Sequence, residues 1–175
     1  MTDVKVWDNF VDKELLLEFQ RILLDPNNGF PWYWHTIVLD DQVMGDPLDN
    51  YFLAHVMYNV DPVVPGLGTP TSEFMGYISP IFKRIDIKSL IRLKANLYPR
   101  TAEIHRQGFH TDFDYEHSKT AVFFVNSNDG FFEFEDGTKI ESVENRFVEF
   151  PSRTKHSGTS CTDQPCRVTL NFNYF

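Results

Sequence analysis

At 175 residues the chain is long enough for one domain that buries about two-thirds of its unfolded surface. A net charge of −9 and a pI near 5.0 weigh against a sequence-independent nucleic-acid partner, which would need a basic face. No apolar run approaches the ~18–20 residues of a membrane span, and residues 1–6 lack the apolar core of a signal peptide, so a soluble cytoplasmic protein is expected.

Residues 4–7 read as a short strand. Asp12 is placed to cap a helix in which Leu15, Leu16, Phe19, Ile22 and Leu23 recur at helical spacing, and the Asp25-Pro26-Asn27-Asn28-Gly29 run ends it. A strand is expected over 31–39. The aromatics Trp32, Tyr33 and Trp34 within it are assigned to packing, with a substrate groove as the alternative. His35 and His55 have no carboxylate at strand spacing and read as structural. Residues 40–50 and 61–72 are rich in Asp, Pro and Gly and read as loops able to cover a site. Phe74, Ile78, Ile81 and Phe82 predict a second helix interrupted near Ser79-Pro80.

From Leu90 the pattern turns to strands. Residues 90–98 place Ile91, Leu93, Ala95 and Leu97 on one face and Arg92, Lys94, Asn96 and Tyr98 on the other. Residues 120–126 are apolar on both faces and predict an inner strand, and residues 147–151 and 154–159 supply two more. Asn128-Asp129-Gly130 and Asp136-Gly137 carry the residues of hairpin turns. In the last strand Val168, Leu170, Phe172 and Tyr174 alternate with Arg167, Thr169, Asn171 and Asn173. Two such polar faces either look at solvent or line a polar cavity, and the ligand pattern below favours the cavity. Cys161 and Cys166, with four residues between them, read as free thiols.

The chemistry gathers around Phe109-His110-Thr111-Asp112-Phe113 and Lys155-His156-Ser157-Gly158. On a strand His110 and Asp112 would point the same way, and His156 follows on a later strand. Two imidazoles and a carboxylate on one face of an ion form the ligand set of non-haem Fe(II) oxygenases. The His-x-Asp triplet alone decides nothing, since 6 His and 15 Asp in this length give roughly 0.5 such triplets by chance. Eleven residues after His156 stands Arg167, whose fork of donors matches a carboxylate. His105, Asp114 and His117 lie near the triad in sequence but read as loop or surface residues, so replacing His105 or Asp114 is expected to leave metal binding intact.

Triad, spacing and arginine together resemble the 2-oxoglutarate- and Fe(II)-dependent dioxygenases, in particular the prolyl-4-hydroxylase-like branch that includes small bacteriophage versions. The likeness runs from about Ile91 to Phe175 and includes Leu97-Tyr98-Pro99, Phe123-Phe124-Val125-Asn126 and Asn128-Asp129-Gly130. It implies a mainly β chain with N-terminal helices, built as a double-stranded β-helix (jelly-roll) barrel, as about eight short strands would also suggest. The expected organisation is a single domain over 1–175, with support and lid elements in 1–89 and the barrel in 90–175. It further implies Fe(II) on His110, Asp112 and His156, with 2-oxoglutarate and O₂ as co-substrates and ascorbate as a possible reductant. Arg167 would take the far carboxylate of 2-oxoglutarate, Thr169 would supply the hydroxyl of an Arg-x-Ser/Thr pair, and Tyr98, helped by Asn96, would line the co-substrate pocket. Two departures stand out: Phe124 where many relatives carry a second tyrosine, and Phe132 where many carry Thr or Leu.

The implied reaction is C–H hydroxylation coupled to oxidative decarboxylation of 2-oxoglutarate to succinate and CO₂. The branch makes a peptidyl proline the leading substrate and a peptide or protein the expected partner, in the host cytoplasm if the chain is phage-encoded. Nucleic acid is the main rival, disfavoured by the acidic charge although Arg92, Lys94 and Arg153 could form a basic strip, and a free amino acid or another small metabolite is the third option. A cupin-like metal protein without oxygenase activity, or a non-catalytic β-barrel module, are the alternatives. The first would have no use for Arg167, and the second would lose nothing if His110, Asp112 and His156 were all replaced.

Overall fold

The computed structural model describes residues 3–36, 38–39, 42–43, 50–60 and 67–175. Of the two expected covering loops, 40–50 and 61–72, residues 40–41, 44–49 and 61–66 lie outside the described residues, and within the second, residues 68–70 form a short strand rather than a loop.

The sequence alternation noted from Leu90 onward organises the molecule. Strand β7 (Leu90–Pro99) lies antiparallel to β13 (Cys166–Tyr174), and the pair forms the middle of a large sheet. Its register sets Tyr98 opposite Arg167, Asn96 opposite Thr169, Lys94 opposite Asn171 and Arg92 opposite Asn173. The two polar faces therefore coincide residue for residue, because directly paired residues project to the same side of a sheet. The sheet continues on the β13 side through β8 (Lys119–Phe124), β11 (Arg146–Pro151) and β1 (Lys5–Trp7). On the β7 side it continues through β5 (Tyr51–Val60) to β2 (Tyr33–Thr36), with β6 (Gly68–Pro70) also paired to β5. A second sheet has the order β10 (Lys139–Glu141), β9 (Phe131–Phe134), β12 (His156–Gly158). A short hairpin joins β3 (Val38–Leu39) to β4 (Gln42–Val43). Strands are thus more numerous than the expected eight, and β5 is a ten-residue strand in the half expected to supply support and lid elements.

The apolar face of the large sheet is covered by helix α1 (Lys13–Leu24). Asp12 accepts the Leu15 amide at 2.9 Å, which satisfies one of the free donors of the first turn. Leu16, Phe19, Ile22 and Leu23 are buried, each worth about 1.5–3 kcal/mol of apolar transfer. Phe19 meets Phe123 edge-on at 5.8 Å. A 3-10 turn over Pro26–Asn28 ends the segment, and Gly29 follows at φ 67°, a backbone region open to glycine. The second helical segment breaks as expected: α2 (Met75–Ile78) passes into a 3-10 turn over Ser79–Arg84. A smaller apolar cluster joins the two sheets through Val122, Phe124, Val148, Phe150, Phe132 and Phe134. It fills the part of the interior that the polar face leaves.

Two local expectations fail for physical reasons. Asp136-Gly137 makes the β9–β10 hairpin, with Gly137 at φ 87°. Asn128-Asp129-Gly130 is not a hairpin turn: β8 pairs with β11 and β13, and the segment carries the chain across to the other sheet. Glycine is needed at 130 for close approach. A Cβ there would stand 2.5 Å from the Ser160 carbonyl oxygen and 2.8 Å from Arg167 Cδ. The aromatics of β2 divide: Trp32 packs on the core, whereas Tyr33 and Trp34 are 59% and 55% exposed, since β2 is an outer strand of its sheet.

Candidate active site

A pocket of about 210 Å³ opens on the shared polar face of β7 and β13. Its lining includes Lys94, Asn96, Tyr98, Arg167, Thr169 and Asn171 from those strands, together with His110, Asp112 and His156. Each residue nominated from the sequence for metal or co-substrate therefore reaches one cavity.

The ligand atoms of His110, Asp112 and His156 all lie within 4.8 Å of one another, close enough to converge on one ion. The route by which they meet differs from the expected pair of strands. His156 opens β12, but His110 sits in an irregular segment that runs antiparallel beside β12 and touches it through isolated bridges. His110 and His156 exchange both backbone hydrogen bonds at 2.9 Å, which sets their rings 4.6 Å apart. Asp112 lies one bend further on, outside any ladder. His110 Nδ1 is 3.1 Å from the Gly108 carbonyl oxygen and His156 Nδ1 is 2.9 Å from that of Thr154. Those contacts fix each ring with Nε2 as the ligand atom, the usual outer support of a metal-binding histidine. Phe132 stacks on the His156 ring at 5.0 Å and Phe150 meets it at the same distance, so the position that departs from the family pattern walls the site.

Asp112 is held on both oxygens. Arg92 Nη2 donates to Oδ1 at 2.7 Å, while the Asn171 and Asn173 amides donate to Oδ2 at 3.1 and 3.0 Å. Burial alone would raise its pKa. Arg92, His156 and the two amides outweigh burial and keep the carboxyl well below the usual range. Burial drives His156 down to about 4, opposed by Asp112, so the imidazole is neutral and ready to act as a ligand near neutral pH.

Arg167 is buried, 1% exposed, and among the described residues no carboxylate pairs with it. Nε donates to Ser142 Oγ at 2.7 Å and Nη1 to the Thr159 carbonyl at 3.3 Å. Its guanidinium carbon sits 5.3 Å from the Tyr98 ring centre and 5.5 Å from that of Phe124. Phe124 therefore offers a ring face to the cation in place of a hydroxyl. Nη2 is buried and has no hydrogen-bond partner among the described residues. A fully desolvated guanidinium with a vacant donor is costly to keep, and a ligand carboxylate entering the pocket would satisfy it. The donor set and this vacant Nη2 fit an Fe(II) ion and a dicarboxylate co-substrate. Tyr98 is buried beside it, and burial raises its pKa against the pull of Arg167 and a hydrogen bond to Gln107.

The sequence left several partners unassigned. Arg92, Asn171, Asn173 and Thr120 clasp Asp112, and Ser142 orients Arg167. The alternation that placed Arg92, Asn171 and Asn173 on polar faces was their only signal. Ser142 had none, since it arrives from the other sheet. The decoys stay apart: Asp114 is exposed and pairs with Arg153, His117 is exposed, and His105 lies outside the triad's pocket. The proposed basic strip is dismantled, because Arg92 pairs with Asp112 and Arg153 with Asp114. His55 is buried against Phe30 with Nδ1 2.7 Å from the Pro31 carbonyl oxygen, in keeping with a structural role. His35 instead lies exposed, stacked on Phe52 of the pocket wall. Both cysteines are free.

No family model and no curated protein sequence matches the chain. Solved structures do. A prolyl hydroxylase from Trichoplax adhaerens, in complex with a hypoxia-inducible factor peptide, superposes with a TM-score of 0.64 at 15% identity, over 100% of this chain and 84% of that one. A prolyl-4-hydroxylase from Pseudomonas putida gives 0.60 at 15% identity over 99% and 93%. A non-haem α-ketoglutarate-dependent epimerase of nogalamycin biosynthesis gives 0.62 at 13% identity over 99% and 78%. The chain thus has the double-stranded β-helix fold of the prolyl hydroxylases and other 2-oxoglutarate/Fe(II) oxygenases. Among the described residues no helix is long and apolar enough to cross a membrane.

Proposed function

We propose that this chain is a 2-oxoglutarate- and Fe(II)-dependent dioxygenase that hydroxylates a C–H bond, with a peptidyl proline as the leading substrate. The observation that carries the reading is the coexistence, in one small pocket, of a His-Asp-His set and a buried guanidinium with a vacant donor. His110, Asp112 and His156 would hold the iron, and Arg167 the far carboxylate of 2-oxoglutarate. When bound, iron and 2-oxoglutarate would supply the activation of O₂, with one oxygen atom going to the substrate and one to succinate as CO₂ leaves.

The chain's own residues set the stage for that chemistry. Arg92 and the two asparagine amides keep Asp112 ionised and aimed into the pocket. Ser142 and Thr159 fix the Arg167 fork, while Tyr98 and Phe124 press on its faces. Thr169 and Asn96 stand opposite each other along the wall between Arg167 and the triad. Val122, Phe132 and Phe52 give the same cavity an apolar wall.

Support for a peptide comes from the surface beside the pocket. A cavity of about 510 Å³ is lined by Tyr51, Pro99, Arg100, Thr101, Glu103 and His105, and it shares Tyr98 and Gln107 with the active pocket. The exposed Trp34 stacks on Tyr51 at 4.0 Å, which extends an aromatic surface toward that groove. An extended chain could lie there with one residue entering the pocket. Loss of the basic strip to internal ion pairs further weakens the nucleic-acid reading.

The test is release of CO₂ from carboxyl-labelled 2-oxoglutarate with iron and ascorbate, with proline-rich peptides, free proline and alkylated single-stranded DNA offered in parallel. Peptide-stimulated release with a gain of one oxygen by mass is expected. It should vanish in Asp112→Ala and His156→Ala and persist in His105→Ala and Asp114→Ala. Turnover of DNA alone would overturn the substrate assignment. Tight iron binding by the two triad variants would overturn the site.

A further inference from the structure

The pocket contains one cation with no assigned role. Lys94 projects from β7 between Arg92 and Asn96, opposite Asn171 on β13 and Val56 on β5. Its ammonium lies 5.6 Å from the centre of the Phe52 ring, and among the described residues it makes no hydrogen bond or salt bridge. The other two cations of the polar face are committed. Arg92 is neutralised by Asp112 at 2.7 Å, and Arg167, with its unpartnered Nη2, is assigned to the co-substrate. A divalent metal, Arg92, Arg167 and Lys94 would carry five positive charges against three negative ones from Asp112 and a dianionic co-substrate, so the loaded pocket would still hold an excess of positive charge, with no counter-ion assigned to Lys94. An ammonium kept in this state is unfavourable: burial, with Arg92 adding repulsion, pulls its pKa down to about 8.

Two further polar atoms beside it are also unsatisfied. Asn171 Oδ1 and Asn96 Oδ1 are buried acceptors with no donor. Asn171 is the cross-strand partner of Lys94, and Asn96 is its neighbour along the same face of β7. An unmatched cationic donor next to two unmatched acceptors describes the complement of a group carrying a carboxylate and a nearby N–H. A phosphate dianion fits less well, because its oxygens are acceptors and would crowd the two unmatched acceptors of Asn96 and Asn171.

We propose that Lys94 receives a carboxylate of the primary substrate, with Asn96 and Asn171 taking its N–H, so that the substrate is an amino-acid-like acid whose carboxylate lies close to the carbon that is oxidised. This deepens the 2-oxoglutarate reading above and rests on it. The small volume of the pocket, about 210 Å³, requires the carboxylate to be near the reacting residue. Two sources meet that requirement: an acidic side chain adjacent to the hydroxylated residue of a peptide, or the α-carboxylate of a free amino acid.

Manganese-loaded protein saturated with 2-oxoglutarate and kept free of oxygen allows binding to be read by calorimetry without turnover. The probes are two matched pairs: acetyl-Glu-Pro-Gly-amide against acetyl-Gln-Pro-Gly-amide, and proline against prolinamide. The charged member of one pair is expected to bind at least about tenfold more tightly, and the pair that responds identifies the source. Lys94→Met should erase that preference while changing 2-oxoglutarate affinity by less than about twofold. Lys94→Arg, which keeps the charge, should retain the preference and so guards against a variant that merely misfolds. Equal binding within both pairs by the parent protein, or a preference that survives Lys94→Met, overturns the proposal. So does a tenfold loss of 2-oxoglutarate affinity in Lys94→Met, which would move Lys94 to the co-substrate. If the parent does not bind 2-oxoglutarate at all, the underlying reading fails and this one falls with it.

Discussion

Replacing Arg167 by Met removes the guanidinium while keeping most of the side-chain length that passes Gly130 and lies between the Tyr98 and Phe124 rings. The far carboxylate of 2-oxoglutarate would then face a buried wall with no cation. Truncating one partner of a desolvated charge pair costs about 2–5 kcal/mol, or roughly 30-fold to several-thousand-fold in dissociation constant at 1.4 kcal/mol per decade. Stability should move little. Two hydrogen bonds, to Ser142 and the Thr159 carbonyl, are lost at about 1 kcal/mol each, and relief of a buried charge opposes them. Calorimetric titration of metal-loaded protein with 2-oxoglutarate, beside a thermal melt and a metal titration, separates these effects. A drop of at least about 30-fold in 2-oxoglutarate affinity is expected, with an intact melt and unchanged metal affinity. A folded, metal-loaded Arg167→Met protein that binds 2-oxoglutarate like the parent would refute the assignment of Arg167 as the anchor.

Two other outcomes follow from the supports of the site. Arg92→Met leaves Asp112 with amide donors but no cation, and iron affinity measured by competition with a chelator should fall about 10–100-fold while 2-oxoglutarate contacts at Arg167 persist. Gly130→Ala drives a methyl against the Ser160 carbonyl and the Arg167 stem, so 2-oxoglutarate affinity and the melting temperature should both drop while iron content in loaded protein holds. Unchanged co-substrate binding in that variant would mean that the Arg167 fork tolerates displacement.

What the sequence determined was everything that depends on local period and side-chain chemistry. The α1 stripe, its Asp12 cap and its Gly29 stop are near-neighbour effects, and they stand where the spacing put them. The alternation in β7 and β13 already separated a polar from an apolar face, with Arg167 on one of them as a carboxylate partner, and the residue types at 110, 112 and 156, outside those strands, named an iron-type ligand set. The register that sets Arg167 opposite Tyr98 and Asn173 opposite Arg92 was beyond local pattern, because an alternating strand is equally consistent with any even shift of its partner. Likewise, Asn128-Asp129-Gly130 has the composition of a turn, and only the pairing of β8 with β13 shows that it crosses between sheets. Trp34 and Tyr33 read as core by hydrophobicity, yet their strand lies at the sheet's edge, where one neighbour is missing. Ser142 orienting Arg167, Arg92 clamping Asp112 and Lys94 standing opposite Asn171 bring together residues 20 to 77 positions apart. Such contacts carry no periodic signature, since they exist only once chain closure has brought separate strands to one cavity.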